Sequence, residues 1–192
     1  SLHAYGDIRS SESELAQIKS LVLDLIAGGD VDLTFNVDEI TVEATGEQAA
    51  VHLTDEDDLI VHLLTQHSGS LTVETLGDMD IDSAAFTQDI EGNEIKLYSS
   101  IGNIALGFVD AGYNNGSFEA YAKEIIEQVV EDDDDDLIAN VVALNANTEQ
   151  TNLEIRAAIQ DTYKSLIGEI FGDLTIEGEY SGILDVIVHG DV

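Results

Sequence analysis

The chain has 192 residues and is 44% hydrophobic, with 40 Asp plus Glu against 6 Lys plus Arg and a formal charge of −34. Aliphatic residues recur often enough to build a core, which excludes the low-hydrophobicity, high-charge composition of disordered chains. The six cations, at Arg9, Lys19, Lys96, Lys123, Arg156 and Lys164, form no patch, which excludes direct nucleic-acid binding through a basic face and disfavours an anionic membrane surface.

Residues 1–9 read as a contact arm. Beyond it, Ser11 and Glu14 form a capping-box pattern ahead of Leu15, Ile18, Leu21, Val22, Leu25 and Ile26, and Gly28-Gly29 follows. This spacing predicts a first amphipathic helix. From Val31 to Val109 the pattern turns to β. Val31, Leu33, Phe35 and Val37 alternate with polar residues, and Ile40–Val42, Val51–Leu53, Leu59–Leu64, Leu71–Val73, Ile95–Leu97 and Ile104–Phe108 follow as short apolar runs. Gly46, Gly69, Gly77, Gly92, Gly102 and Gly112 punctuate them.

Ser117 caps a predicted second helix with Phe118, Tyr121, Ile125 and Val129 on one stripe, which runs into the carboxylates of Glu131–Asp136. The apolar segment Leu137–Leu144 reads as a buried strand. Asn147 begins a predicted third helix, with Ile155, Ile159, Tyr163, Leu166 and Ile170 on one face, and the chain closes on a predicted hairpin, 174–177 with 183–188. No repeat or break in composition divides the sequence. The order predicts a single α+β domain over residues 1–192, a mainly antiparallel sheet or small β-barrel of about 8–10 strands with three amphipathic helices.

The chemistry-bearing residues give little to an enzyme. With no Cys there is no disulfide, thiolate zinc site or Cys nucleophile, and no phosphate-binding loop, dinucleotide fingerprint or Gly-x-Ser-x-Gly occurs. His52, Asp55, Glu56, Asp57, Asp58, His62 and His67 cluster in sequence, but at spacings that match no metal motif. Asp78, Asp80 and Asp82, with Asp89 further on, have the ligand rhythm of a calcium loop and form a candidate site for calcium or another hard cation, although Ser83 replaces the usual Gly and Asp89 the usual Glu. No cofactor is expected beyond weakly bound K, Na, Mg or Ca. No membrane insertion is expected either, because no apolar run reaches about 18 residues, nor does the N-terminus read as a signal peptide.

A surface of roughly 9,000 Å² would space these carboxylates about 15 Å apart. The Debye length is about 10 Å at 0.1 M salt and about 3 Å at 1 M, so salt removes their mutual repulsion. Abundant carboxylates with scarce Lys resemble the proteins of haloarchaea and their viruses. The expectation is a non-enzymatic structural subunit of such an assembly, most simply a virion protein of capsid, neck or tail, whose partners are copies of itself and other structural proteins. Leu2, Tyr5, Ile8, Tyr113 and Phe118 are the candidate interface residues. The alternatives are a ligand-binding or adaptor domain of the haloarchaeal cytoplasm and, third, a carboxylate-based hydrolase.

Overall fold

The computed structural model describes residues 1–10, 18–123, 126–128, 137–146, 153–155, 165–170, 174–176 and 183–188. Among them every regular element is a strand: β1 (Leu2–Ala4), β2 (Ile8–Arg9), β3 (Ile18–Ala27), β4 (Val31–Ala44), β5 (Ala49–Asp55), β6 (Leu59–Gln66), β7 (Gly69–Thr75) and β8 (Met79–Phe86). They continue as β9 (Glu94–Ser99), β10 (Ile104–Ala122), β11 (Ile126–Gln128), β12 (Leu137–Ala146), β13 (Leu153–Ile155), β14 (Ser165–Ile170), β15 (Leu174–Ile176) and β16 (Ile183–Val188). All sixteen belong to one sheet, and every recorded pairing is parallel.

The sheet is wound as a parallel β-solenoid. One face runs β2, β4, β5, β7, β9, β10, and the other runs β1, β3, β4, β6, β8, β10. The long strands β4 and β10 pass from one face to the other. Beyond β10, each chain of neighbours continues by alternation, β12–β14–β16 and β11–β13–β15. The coil length can be read from the register: Val31 aligns with Val51, Val51 with Leu71, Leu71 with Ile95, and Ile95 with Phe118.

These alignments are also the core. Side chains on one position of successive coils stack in columns, so Leu33, Leu53, Val73, Leu97 and Ala120 form one buried column and Leu23, Ile40, Val61, Ile81 and Leu106 another. Alternate residues on each strand face outward because the side-chain period of a strand is two. The inside is therefore apolar, and the outside is acidic or polar except on the face of β3, β6 and β10, where Val22, Ile26, Ile60, Leu63 and Phe108 are exposed.

This architecture corrects the α+β expectation, with its antiparallel sheet or barrel and three amphipathic helices. Ile18–Ala27 is a strand whose Leu23, Leu25 and Ala27 point inward while Val22 and Ile26 point outward. Apolar residues on both faces of a strand imitate helical spacing. Gly28 does not stop a helix: a Cβ there would lie 2.2 Å from the Tyr5 carbonyl oxygen, so the glycine admits the preceding coil. The second predicted helix falls on β10 and β11, and the third overlaps β13 and β14, with Ile159 and Tyr163 outside the described residues. The closing hairpin is absent: β15 pairs with β13 and β16 with β14. The capping-box residues Ser11 and Glu14 and the acidic run Glu131–Asp136 also lie outside the described residues.

Candidate functional site

Three features stand out from the regular solenoid: its acidic corners, two histidine seams on its faces, and its N-terminal edge.

At the corners, carboxylates of one coil accept main-chain N–H groups of the next. Asp58 Oδ1 accepts from the Asp78 amide at 2.8 Å, and Asp78 Oδ1 accepts from the Asn103 amide at 2.8 Å and from Asn103 Nδ2 at 3.0 Å. On the opposite corner Asp7 accepts from the Asp30 amide and Asp30 from the Ala50 amide, each at 3.0 Å, and Arg9 reaches both carboxylates. These amides stand at exposed corner positions, so each such bond gives a donor a charged protein acceptor in place of water.

Asp55 performs the same task from inside. It is 2% exposed, and its two oxygens accept from the Val37 amide at 3.0 Å and the Asp57 amide at 2.8 Å. Burial raises its pKa, against the lowering effect of those two bonds. Thr75 and Ser99 occupy the equivalent place in the next two coils and use hydroxyls, both donating to the Gly77 carbonyl.

Asn36, Asp38, Asp57, Asp58, Asp78 and Asp80 border a half-open groove of about 470 Å³ beside this corner. Burial, then the neighbouring Asp82 charge, raises the pKa of Asp80. Asp78, Asp80 and Asp82 thus share a neighbourhood but not a loop: Asp78 stands at the corner, tied to Asn103, Asp80 and Asp82 lie on the outer face of β8, and Asp89 sits past the end of β8 at the opposite corner, where Oδ1 accepts from the Asn115 amide at 3.1 Å. The four do not converge as a calcium loop. Among the described residues no group of three or more His, Asp or Glu side chains is placed to hold a metal ion.

The histidine seams cross the coils. On one face His62 Nδ1 lies 2.7 Å from Asp82 Oδ2 and Nε2 lies 3.1 Å from Glu39 Oε2, so one imidazole spans β4, β6 and β8. On the other face His52 lies 3.6 Å from Asp32 and 3.5 Å from Glu74, spanning β4, β5 and β7 at ion-pair distance. His67 stands at the corner, with Nδ1 3.3 Å from the Thr87 hydroxyl.

A β-bulge places His62. Ile40 aligns with Val61 but Thr41 with Leu63, so β6 carries one residue more than β4, and that residue is His62. Both His62 and Leu63 consequently face outward. The following coils keep the extra residue as Asp82 and Gly107. At Gly107 a Cβ would lie 2.5 Å from the Asp82 carbonyl oxygen and 2.8 Å from that of Ile81, so this place in the column, unlike those of His62 and Asp82, admits no side chain. The bulge left a faint sign in the sequence, two successive outward residues in otherwise alternating strands.

At the N-terminal end, β1 covers β3 only at Leu25–Ala27. Among the described residues the outer edge of Ile18–Asp24 has no partner strand, and Leu21 and Val22 there are 72% and 49% exposed. Leu2 and Tyr5 are exposed beside it and Ile8 packs against the core. Phe118 is an inner core residue and offers no contact surface, while Tyr113 falls within β10. Sequence reading thus drew attention to Leu2 and Tyr5 but took Leu21 and Val22 for the buried stripe of a helix. At the other end β15 and β16 each have one recorded neighbour. The chain matches no protein-family model, no curated protein and no solved structure.

Proposed function

We propose that the protein is a non-enzymatic structural subunit whose copies stack end to end, working in multimolar salt as a component of a haloarchaeal assembly such as a virion. The observation that carries this reading is the edge of β3 over Ile18–Asp24, which has no partner strand among the described residues. An edge strand presents a row of unpaired N–H and C=O groups, and the usual devices that blunt one, proline or a covering helix, are missing among the described residues of this strand. Lys19 and Asp24 flank a centre of Leu21 and Val22, so the middle of the edge is apolar.

The occupant that fits is a second copy of this chain. Among the described residues β15 and β16 each have one recorded neighbour and share the parallel winding, so a copy placed head to tail against them continues the ladders without any change of strand direction. Contacts of this kind are heterologous, joining different surfaces of the two copies, and they build open filaments or rings. The acidic sides repel lateral association while the ends, where backbone groups pair, remain attractive once salt screens the faces.

Light scattering in about 3 M KCl over a range of protein concentrations tests the proposal. The expected result is a mass that grows with concentration, in unbranched particles by electron microscopy, and that collapses to the monomer in the double variant Leu21→Lys, Val22→Lys. A monomer at every concentration, or assemblies indifferent to that variant, would refute it.

A further inference from the structure

The His62 seam has a geometry that a neutral imidazole cannot satisfy. Both ring nitrogens face carboxylate oxygens, at 2.7 Å and 3.1 Å. A neutral ring has one N–H donor and one lone pair, so one of the two contacts would set a lone pair against a carboxylate. Only the imidazolium donates in both directions. The two acceptors come from different coils, one before and one after the coil that carries His62, and the bridge lies at the bulge, where the β4–β6 ladder is interrupted.

We propose that His62 is a proton-operated staple: as an imidazolium it ties three successive coils together across the bulge through Glu39 and Asp82, and on losing its proton it releases one of them. The charged groups of the flanking strands all favour the closed state. On this face β4 contributes Asp38, Glu39 and Glu43, β8 contributes Asp80 and Asp82, and β6 itself has no other titratable side chain. Asp32, at the far end of β4, belongs to the His52 seam on the other face. The bonds to Asp82 and then Glu39 raise the His62 pKa, which agrees with the geometry.

The sign follows from linkage. A histidine whose pKa is higher folded than unfolded contributes stability that is complete below the unfolded value of about 6.5 and is lost as the pH rises through the folded value. While Glu39 and Asp82 are ionised, the staple is therefore closed below the ordinary histidine value and opens as the pH rises through the folded value of His62. His52, whose carboxylate contacts are longer, at 3.6 Å and 3.5 Å, is the built-in comparison.

Nitrogen-15 NMR of the histidine side chains tests this on the full chain, in solution or as a sedimented assembly, in about 2 M KCl so that long-range repulsion is screened. His62→Gln identifies the resonance; should that variant not fold, the one histidine that responds to both Asp82→Asn and Glu39→Gln identifies it. The expected result is an imidazolium pattern, with both nitrogens protonated, at about pH 7, a midpoint above the ordinary histidine value, and a downward shift of that midpoint in each carboxylate variant. A single neutral tautomer at that pH, or a midpoint that neither variant moves, overturns the proposal.

Discussion

Replacement of Asp55 measures how much the corners of this solenoid depend on carboxylates as main-chain acceptors. In the wild type the 2% exposed side chain takes two amide protons, from Val37 and Asp57. Asp55→Ala leaves both donors without a protein partner, and an unsatisfied buried donor costs about 1–3 kcal/mol. Removing the carboxylate also relieves its own burial, the largest cause of its raised pKa, which offsets part of that loss. The net expectation is about 2–3 kcal/mol of destabilisation for Asp55→Ala and about 1 kcal/mol for Asp55→Asn, which keeps one acceptor oxygen. Asp55→Thr should fall between wild type and Ala, because Thr75 fills the equivalent position one coil later. Denaturant unfolding at constant multimolar salt reads these differences. An Asp55→Ala variant within about 0.5 kcal/mol of wild type would show that the corner bonds contribute nothing net.

Further outcomes follow from the same geometry. Asp55, Asp80 and Asp110 all have pKa values raised chiefly by burial, and that of His62 is raised by its carboxylate partners. In each case the folded state holds its proton more tightly, so the carboxylate contributions fade as pH rises through their folded values and that of His62 fades at higher pH. The melting temperature at fixed salt should therefore fall as the pH rises from about 4, the ordinary carboxylate value, and fall again above about 6.5, the ordinary histidine value; a rise on leaving either value would contradict the assignment. Gly107→Ala should cost about 1–3 kcal/mol through its contact with the Asp82 and Ile81 carbonyls, measured by the same unfolding assay, although Ala ordinarily favours a strand over Gly. Leu53→Ala, in the middle of a fully buried column, should cost about 2–5 kcal/mol.

The strands between Val31 and Phe108 were legible because most of their inward residues alternate with polar ones, the exceptions being β6 and the start of β10, where Ile60, Leu63 and Phe108 face outward. Their direction was not. A short apolar run between glycines looks the same in a hairpin and in a solenoid, and only the register decides. The coil repeat was obscured because its length changes: Val31 to Val51 and Val51 to Leu71 are equal steps, but the step from Leu71 to Ile95 takes in the longer corner around Gly92. The corner position filled by Asp55, Thr75 and Ser99 repeats a buried side chain bonded to the main chain, as acceptor in Asp55 and as donor in Thr75 and Ser99, so identity comparison passes over it. Ile18–Ala27 misled for a different reason. Its outward Leu21, Val22 and Ile26 are apolar, and a strand with both faces apolar satisfies a helical template as well. The same abundance of carboxylates that hid any single one concealed the ladder Asp58, Asp78 and Asn103, whose members differ in charge yet serve one bonding pattern.

The solenoid also sharpens the argument about salt. An even scatter of carboxylates over the surface places neighbours about 15 Å apart, beyond the Debye length of about 10 Å at 0.1 M. Stacked coils do not scatter them. Adjacent parallel strands are about 4.8 Å apart, so acidic residues on neighbouring coils, such as Asp58 and Asp78 or Asp7 and Asp30, stand much closer than that average. Their main-chain bonds neutralise part of the repulsion locally, whereas Asp80 and Asp82, two positions apart on the outer face of β8, have no amide donor in the described contacts, and Asp82, although paired with His62, still raises the pKa of Asp80. Screening at these separations requires a Debye length of about 3 Å, which is reached near 1 M. The melting temperature should accordingly continue to climb between about 0.2 M and 1 M KCl instead of levelling off at the lower value. Calorimetry across that interval decides the matter: a plateau already at the low end would mean that the coils hold their carboxylates apart, or protonated, without help from the solvent.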